Sequence, residues 1–415
     1  DGTKSVTDEI SVAALGATPV EARPAGVKDG VTVSGNTATI VLYAPGKQQV
    51  VLLGDFNDFA PTNKYMMKKD GDYFWITISG LEEGVEYGYQ YLVDETIKIG
   101  DPYATKILDP WNDKWIDASV YPNLKAYPSE YTSDIVSVFE INPTEYQWTA
   151  TSYERPAENS LAIYELLVRD FTEAGSIDAV TAKLDYLENL GVNAIELMPI
   201  QEFDGNDSWG YNPCFFFATD KAYGTEEAYK TFIDECHKRG IAVILDVVFN
   251  HATGLNPMNK LYPYGTDLSK NPWFNATAPH SDNVYEDWNH DFGPTKTMFT
   301  RSLAYWLTEY KVDGFRFDGV TSMLYKNHGI GTNFSEQSDY FGDNVNNEAV
   351  TYLQLANALI HELNKEYITI AEPAVRFIDF AGRQQSNHSN KNSLSPNNYF
   401  TSMIFIILVR PSPLG

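Results

Sequence analysis

The chain has 415 residues, of which 43% are hydrophobic and 21% are charged, and its formal net charge is −26. These proportions exclude a wholly disordered chain and a fibrous repeat, and the length exceeds one ordinary domain core. The negative charge repels phosphate backbones and anionic lipids, so we expect neither nucleic acid nor a membrane as a partner. The aromatic content of 14% suits a neutral ligand with sugar-like faces, although most of these rings must fill the core.

Cysteines and the chain start bear on the compartment. Cys214 and Cys236 lie in apolar surroundings, which predicts inert thiols rather than a disulfide framework. No basic stretch followed by an apolar one opens the chain, so we expect a secretory leader to be absent or already removed. The apolar run over residues 403–409 is shorter than the about 20 residues of a membrane-spanning helix. We predict a secreted or periplasmic location, with the cytoplasm as the alternative, and the oligomeric state stays open.

The first part of the chain has the texture of a β domain. Residues 1–29 lack sustained periodicity and are interpreted as a lead-in or linker. Over residues 30–121, β-branched and aromatic runs such as NTATIVLYAP and YFWITISG are separated by turn residues, including Asp70-Gly71. This pattern predicts a β-sandwich with a hairpin at that dipeptide. Residues 122–159 are rich in Pro, Ser, Thr and Tyr and predict an irregular connector.

Strand-like runs and helical patterns alternate over residues 160–372. The strand-like runs are LAIYELLVRDF, VNAIELMPI, IAVILDVVFNH, GFRFD and YITIAE. The first helical pattern begins at a Ser cap, ends at Gly191 and places four apolar residues on one face, namely Ile177, Val180, Leu184 and Leu187. The alternation predicts parallel βα units, with a loop excursion over residues 252–294 after the third strand.

Polar residues end the last three of these apolar strands. They are Asp246, Asn250, His251, Arg316, Asp318 and Glu372. In a (β/α)8 barrel the carboxyl ends of the strands face the active site. Two carboxyl groups about 5–5.5 Å apart serve retaining glycoside hydrolysis, which makes Asp318 and Glu372 the candidate pair. Arg316 precedes Asp318 by two residues and points to the same face, where its charge would keep the aspartate ionised.

In this order, LAIYELLVRDF, NAIELMPI, WGYNP, DVVFNH, GFRFD and ITIAE resemble the α-amylase family, glycoside hydrolase family 13. The resemblance implies an α/β fold, an incomplete (β/α)8 TIM barrel preceded by an immunoglobulin-like β-sandwich. VVLLGDFNDF and DPYA resemble the module that precedes the barrel in branching enzymes and related amylases. The part upstream of Gly319 is similar to secreted bacterial α-amylases, whereas residues 319–372, including GVTSMLYKNHGIGTNF, resemble 1,4-α-glucan branching enzymes.

The same resemblance implies roles for individual residues. Asp318 matches the catalytic nucleophile, Glu372 the general acid/base and Arg316 the arginine that precedes the nucleophile. The substrate-binding candidates are Asp246, His251 and Tyr211, the last matching the ring that stacks on the sugar at the cleavage site. Singly, these three residues also fit a strand-end hydrogen-bond partner, a loop imidazole and a packed ring, and their ordered co-occurrence favours an active site.

Metal binding is predicted at one position only. No cofactor is required by the implied chemistry, and calcium is the candidate metal. Asn250 matches a residue that is often a calcium ligand in the family, and it also fits a loop cap. Calcium needs several more oxygen ligands, which the sequence does not place.

The end of the chain departs from the family pattern. The family uses a third acidic residue in an NHD-type string beyond the fifth strand, and none follows Glu372. Asn289-His290-Asp291 has these letters but precedes the fourth strand, so we interpret it as a coincidence. Residues 373–415 show no family string and are predicted to be a non-family tail, irregular in structure.

Three functions remain open at this point. The leading interpretation is a retaining glycoside hydrolase of α-amylase type, acting on starch-like or glycogen-like polysaccharide. The alternative is a 1,4-α-glucan branching enzyme, which passes the glycosyl group to a glucan 6-hydroxyl instead of water. A third reading is a catalytically impaired fragment that binds glucan without turnover.

Overall fold

The computed structural model describes residues 14–262, 271–276 and 286–372. The predicted tail over residues 373–415 and two stretches of the loop excursion lie outside the described residues. The chain divides into two compact units. One unit comprises Asp1–Pro110 with Ala126–Pro143, and the other comprises Trp111–Lys125 with Thr144–Gly415.

The described residues of the first unit form nine strands. They are β1 (Gly30–Ser34), β2 (Thr37–Tyr43), β3 (Val50–Gly54), β4 (Lys68–Asp70), β5 (Tyr73–Ser79), β6 (Glu86–Val93), β7 (Ile97–Ile99), β8 (Lys106–Leu108) and β9 (Val136–Glu140). One sheet has the order β1-β2-β5-β4, and the other has the order β3-β6-β9-β8 with β7 paired to β6. All of these pairs are antiparallel, and the predicted β-sandwich is confirmed.

The predicted hairpin at Asp70-Gly71 joins β4 to β5. Asp70 pairs with Tyr73, and Gly71 has a φ of 61°, a left-handed conformation that favours glycine. The predicted hairpin is therefore confirmed. It could be predicted from the sequence because a tight turn depends on the residues within it and not on distant contacts.

Two parts of the first unit differ from the sequence prediction. The predicted connector over residues 122–159 is not irregular throughout, because β9 lies within it and pairs with both β6 and β8. A short part of the lead-in also pairs with β4, since Lys69 N–H donates to Pro19 O and Glu21 N–H donates to Lys69 O. Both segments are short and flanked by turn residues, so their strand character comes from pairing partners rather than from their own periodicity.

The second unit alternates strands and helices. Within the described residues its strands are β10 (Ile163–Leu166), β11 (Ala194–Leu197), β12 (Gln201–Phe203), β13 (Pro213–Thr219), β14 (Ala242–Val247), β15 (His251–Ala252), β16 (Glu286–Asp287), β17 (Gly314–Phe317) and β18 (Ile368–Ala371). Its helices are α1 (Val168–Phe171), α2 (Ile177–Thr181), α3 (Leu184–Asn189), α4 (Glu226–Lys238), α5 (Pro257–Leu261), α6 (Gly293–Glu309), α7 (Val320–Leu324), α8 (Gln337–Phe341) and α9 (Asn347–Leu363).

Five of these strands form one parallel sheet in the order β10-β11-β14-β17-β18. Buried apolar side chains fill its interior, namely Ala194, Ala242, Ile244, Ile368 and Ile370. Each strand is followed by helical segments before the next parallel strand, as right-handed βαβ units require. The fold class, part of a (β/α)8 barrel after a β-sandwich, is thereby confirmed for the described residues.

Two helices begin at hydroxyl side chains that cap them. The Ser176 side chain accepts from Ala179 N–H at 3.3 Å, and the Thr225 side chain accepts from Ala228 N–H at 3.1 Å. The predicted helix after Ser176 is interrupted and forms the two short helices α2 and α3. Its four predicted core residues are nonetheless fully buried, namely Ile177, Val180, Leu184 and Leu187.

A buried aspartate fixes the start of β17. Asp313 accepts from Arg155 Nε at 2.7 Å and from Val243 N–H at 2.8 Å. It also lies 2.9 Å from His237 Nε2 on α4. Because its side chain is fully buried, these partners compensate the cost of desolvating it and hold β17 against β14.

Two sequence predictions concern features outside the sheet. Cys214 and Cys236 are both buried and form no disulfide with each other, as predicted, and burial raises the pKa of the Cys236 thiol. No helix within the described ranges is long and apolar enough to span a bilayer.

Candidate active site

The carboxyl ends of three neighbouring strands bring the predicted polar residues together. Asp246 in β14 is paired in register with Arg316 in β17. Asp318 directly follows β17, and Glu372 directly follows β18. Since parallel strands end at one edge of the sheet, these side chains converge although they are far apart in sequence.

Arg316 is the centre of this cluster. Its Nη1 lies 2.6 Å from Asp246 Oδ2 and 2.9 Å from Asp318 Oδ1, and its Nη2 lies 2.5 Å from Glu372 Oε2. The guanidinium is only 3% exposed, so these charge-assisted contacts operate in a low-dielectric environment. One buried cation therefore orients three carboxylates at once.

Asp318 and Glu372 interact directly. Burial raises the pKa of Asp318 to about 6, Arg316 opposes this rise, and the neighbouring Glu372 carboxylate adds to it. Arg316 contacts Asp318, as expected, and its charge lowers the pKa of the aspartate. This lowering is smaller than the rise caused by desolvation, because several carboxylates share the one cation. At neutral pH the aspartate is still mostly ionised.

The backbone after β17 also faces this pair. Gly319 has a φ of 56°, and its N–H donates to Glu372 Oε2 at 3.4 Å. A Cβ at this position would lie 2.6 Å from Asn250 Nδ2, so a larger residue does not fit without displacing that side chain. The glycine thus permits the turn that sets Asp318 and Glu372 side by side.

The predicted substrate-binding residues line the same place. The hydroxyl of Tyr211 donates to Asp246 Oδ2 at 2.7 Å, and His251 Nε2 lies 2.7 Å from the carbonyl oxygen of Tyr211. Burial lowers the pKa of His251, which favours the neutral imidazole. A chain of contacts from His251 through Tyr211 and Asp246 therefore leads to Arg316.

The candidate calcium ligand is only partly compatible with that role. Asn250 Nδ2 donates to Ser322 Oγ at 3.1 Å, while the buried Oδ1 has no hydrogen-bond partner. That oxygen fits a single metal ligand. Among residues 14–262, 271–276 and 286–372, however, no group of three or more His, Cys, Asp and Glu side chains is placed to hold a metal ion. Calcium at Asn250 stays a prediction, and no chemical step is routed through it.

Glu196 is a site neighbour that the sequence analysis missed. It lies in β11 with its Oε1 3.9 Å from Arg316 Nε, and burial raises its pKa to about 7. The signal was available in the string NAIELMPI, where an acidic residue interrupts an apolar strand. A buried carboxylate in such a strand needs a partner, and the strand order β11-β14-β17 puts Arg316 within reach.

The Asn289-His290-Asp291 string lies apart from this cluster. His290 is buried, with its Nε2 3.0 Å from Phe249 O, and its ring stacks on Tyr352. Burial lowers the pKa of His290 to about 4. Asp291 is exposed. The His290 ring therefore packs against α6 and α9, where it contacts Phe299 and Tyr352.

Comparisons with known proteins show which family the chain resembles. Residues 151–297 match the model of the α-amylase catalytic domain, and residues 15–112 match carbohydrate-binding module 48, the isoamylase N-terminal domain. A 1,4-α-glucan-branching enzyme of Rhizophagus irregularis is 33% identical over 343 residues, which are 80% of this chain and 47% of the relative. A malto-oligosyltrehalose trehalohydrolase of Saccharolobus solfataricus is 31% identical, over 72% of this chain and 45% of the relative.

Among solved structures, apo pullulanase from Paenibacillus barengoltzii has a similar fold. The TM-score is 0.62 at 20% sequence identity, covering 84% of this chain and 53% of that chain. The chain spans about half the length of the curated relatives it matches. The matched catalytic domain and module, together with the convergence of the family strings at one sheet edge, place this chain in the α-amylase family, glycoside hydrolase family 13.

Proposed function

We propose that this chain carries the retaining active site of an α-glucan-active enzyme, with Asp318 as nucleophile and Glu372 as general acid/base. The observation that carries the proposal is the shared guanidinium of Arg316, which binds Asp318 at one terminal nitrogen and Glu372 at the other. The side chains are close enough for Glu372 to raise the pKa of Asp318. Two carboxylates bound to one guanidinium are close neighbours, and retaining glycosidases hold their two carboxyl groups about 5–5.5 Å apart.

The reaction then proceeds in two displacements. Glu372 donates its proton to the glycosidic oxygen while an Asp318 oxygen attacks the anomeric carbon, giving a covalent glycosyl ester and a shortened glucan. An acceptor hydroxyl next loses its proton to Glu372 and attacks the same carbon, which releases Asp318 and retains the anomeric configuration. Tyr211, Asp246 and His251 are the substrate-binding residues of this proposal.

The acceptor decides between transfer and hydrolysis. We favour a glucan 6-hydroxyl, so that the whole protein is a 1,4-α-glucan branching enzyme. From the sequence alone, branching is the alternative and hydrolysis is the leading interpretation. The branching-enzyme relatives support branching better than hydrolysis. The trehalohydrolase relative keeps hydrolysis as the second candidate, with water as acceptor. An impaired glucan-binding fragment remains the third.

The remaining predictions follow the same proposal. The partner in this proposal is an α-glucan polysaccharide or oligosaccharide. The match to carbohydrate-binding module 48 supports a carbohydrate ligand, and an uncharged ligand is compatible with an acidic protein. Location outside the cytoplasm or within it stays a prediction, as do the oligomeric state and calcium.

The test uses the full chain and an Asp318→Asn control on amylose. A branching enzyme lowers the iodine absorbance and shifts its maximum while releasing few reducing ends, because each cleavage is matched by a transfer. Reducing sugar that accumulates in step with the loss of iodine colour would assign hydrolysis. Binding of glycogen without either change would assign the third candidate, and equal activity of the Asp318→Asn variant would contradict the proposed nucleophile.

A further inference from the structure

Three of the eight tryptophans are exposed to solvent. Trp111 is 45% exposed, Trp115 is 75% exposed and Trp209 is 50% exposed. The other five tryptophans are buried or half-buried. A tryptophan ring with this much exposed surface is unusual, because the residue otherwise fills cores, and neighbouring exposed rings indicate a binding surface.

These three rings are carried by two segments that touch. Asn206, in the loop that bears Trp209, donates through Nδ2 to the carbonyl oxygen of Asn112 at 3.1 Å. Asn112 directly follows Trp111. Both segments belong to the second compact unit. The three exposed tryptophans therefore lie on adjoining segments, and we call this set the tryptophan surface: Trp111, Trp115 and Trp209.

An ion pair holds the segment that carries Trp111 and Trp115 in place. Asp113, between the two tryptophans, lies 3.3 Å from Nζ of Lys221. Lys221 is buried and also binds Glu202 at 2.7 Å. Such a partly buried ion pair fixes the turn, so the two rings are presented on a rigid base rather than on a free loop.

The other segment leads into the active site. Trp209 precedes Tyr211 by two residues, so their Cα atoms are at most about 7 Å apart. Tyr211 reaches Asp246 through its hydroxyl. The loop is held in shape by Gly210 N–H, which donates to Ser208 Oγ at 3.0 Å, and by Asn212 Nδ2, which donates to Asp204 O at 2.6 Å. The loop that carries Trp209 thus also carries Tyr211, a member of the active-site cluster.

The chemistry of this surface selects a neutral, hydroxyl-rich ligand. Rings stack on the apolar faces of sugars, while amides such as those of Asn112 and Asn206 suit hydroxyl groups. The net charge of −26 disfavours an anionic polymer. We propose that the tryptophan surface binds an α-glucan chain away from the carboxylate cluster and guides it toward Tyr211, an inference that rests on the proposed function for the identity of the glucan.

The test measures glucan binding without turnover. In the Asp318→Asn background of the full chain, Trp115→Ala and Trp209→Ala are each expected to weaken glycogen retention in affinity electrophoresis about 2- to 10-fold, the value of one aromatic contact. Tyr186→Ala is the matched control, because Tyr186 is 56% exposed on α3. With Asp318 restored, the kcat/KM for long amylose relative to that for a short maltooligosaccharide falls in the tryptophan variants only.

The outcomes separate this inference from the proposed function. Weaker retention in the tryptophan variants of a chain that has no activity supports the tryptophan surface and counts against the catalytic proposal. Activity on amylose with unchanged retention in both tryptophan variants overturns the tryptophan surface alone. Loss of self-association in sedimentation, with glucan retention equal to that of Tyr186→Ala, assigns the rings to a protein contact and also overturns it.

Discussion

Arg316 and Asp246 form a fully buried ion pair, with Nη1 of the arginine 2.6 Å from Oδ2 of the aspartate. The pair follows from the register of β14 and β17, in which these two residues are direct neighbours. The same nitrogen also contacts Asp318, so the pair that stabilises the sheet edge also positions the proposed nucleophile. Structure and chemistry are therefore coupled through one guanidinium.

The first prediction concerns this guanidinium. Arg316→Gln is expected to lower the free energy of unfolding by about 3–5 kcal/mol, because it leaves Asp246 buried without its cation. It should also raise the pKa of Asp318 further, since Arg316 opposes the rise. Urea unfolding measures the stability. The control Arg239→Gln removes a more exposed network with Asp185 and Glu235, and is expected to cost about 1 kcal/mol or less. Equal losses in both variants would contradict the central role of Arg316.

The second prediction concerns the carboxylate pair. Asp318→Asn and Glu372→Gln are each expected to reduce turnover of α-glucan more than about 10³-fold, because each removes one half of the double displacement. Both variants should keep the circular dichroism spectrum of the parent chain. If either variant retained most of the parent activity, the assignment of Asp318 and Glu372 as the catalytic pair would be wrong.

The third prediction is a pH dependence. The ionised form of Asp318 is the nucleophile, so kcat/KM should fall as the pH drops through about 6. Because the pKa is raised from about 4 to about 6 on folding, the folded protein binds more protons between these values, and stability falls as the pH rises through that window. Asp318→Asn should therefore be more stable than the parent at pH 7, by about 1–3 kcal/mol. Urea unfolding at pH 4 and pH 7 checks this, and a stability difference that grows toward pH 4 would reverse the sign and refute it.

The fourth prediction concerns the substrate-binding residues. Tyr211→Ala and His251→Ala should reduce turnover less than the changes at Asp318 and Glu372, because hydrogen bonding and positioning are shared among several groups. Tyr211→Phe separates the ring from its hydroxyl, which donates to Asp246. We expect it to keep more activity than Tyr211→Ala in steady-state kinetics on maltooligosaccharides. Losses as large as those of Asp318→Asn would point to a different catalytic pair.

Much of the fold follows from local signals in the sequence. The hairpin at Asp70-Gly71 and the caps at Ser176 and Thr225 depend on turn and capping chemistry within a few residues. The strings DVVFNH, GFRFD and ITIAE end apolar strands in polar residues, which is enough to predict that Asp246, Arg316, Asp318 and Glu372 meet. Strand β9 escaped prediction because five residues amid Pro, Ser and Thr become a strand only when β6 and β8 pair with them.

What the sequence by itself determined is the order of the βα units and the identity of the residues at their strand ends, since periodicity and strand-end polarity are properties of the chain. Only the tertiary structure decided that one guanidinium serves Asp246, Asp318 and Glu372 together, and that burial outweighs its effect on the pKa of Asp318. The reason is physical: desolvation and Coulomb interactions depend on the distances and burial of groups far apart in sequence, and no local pattern records them.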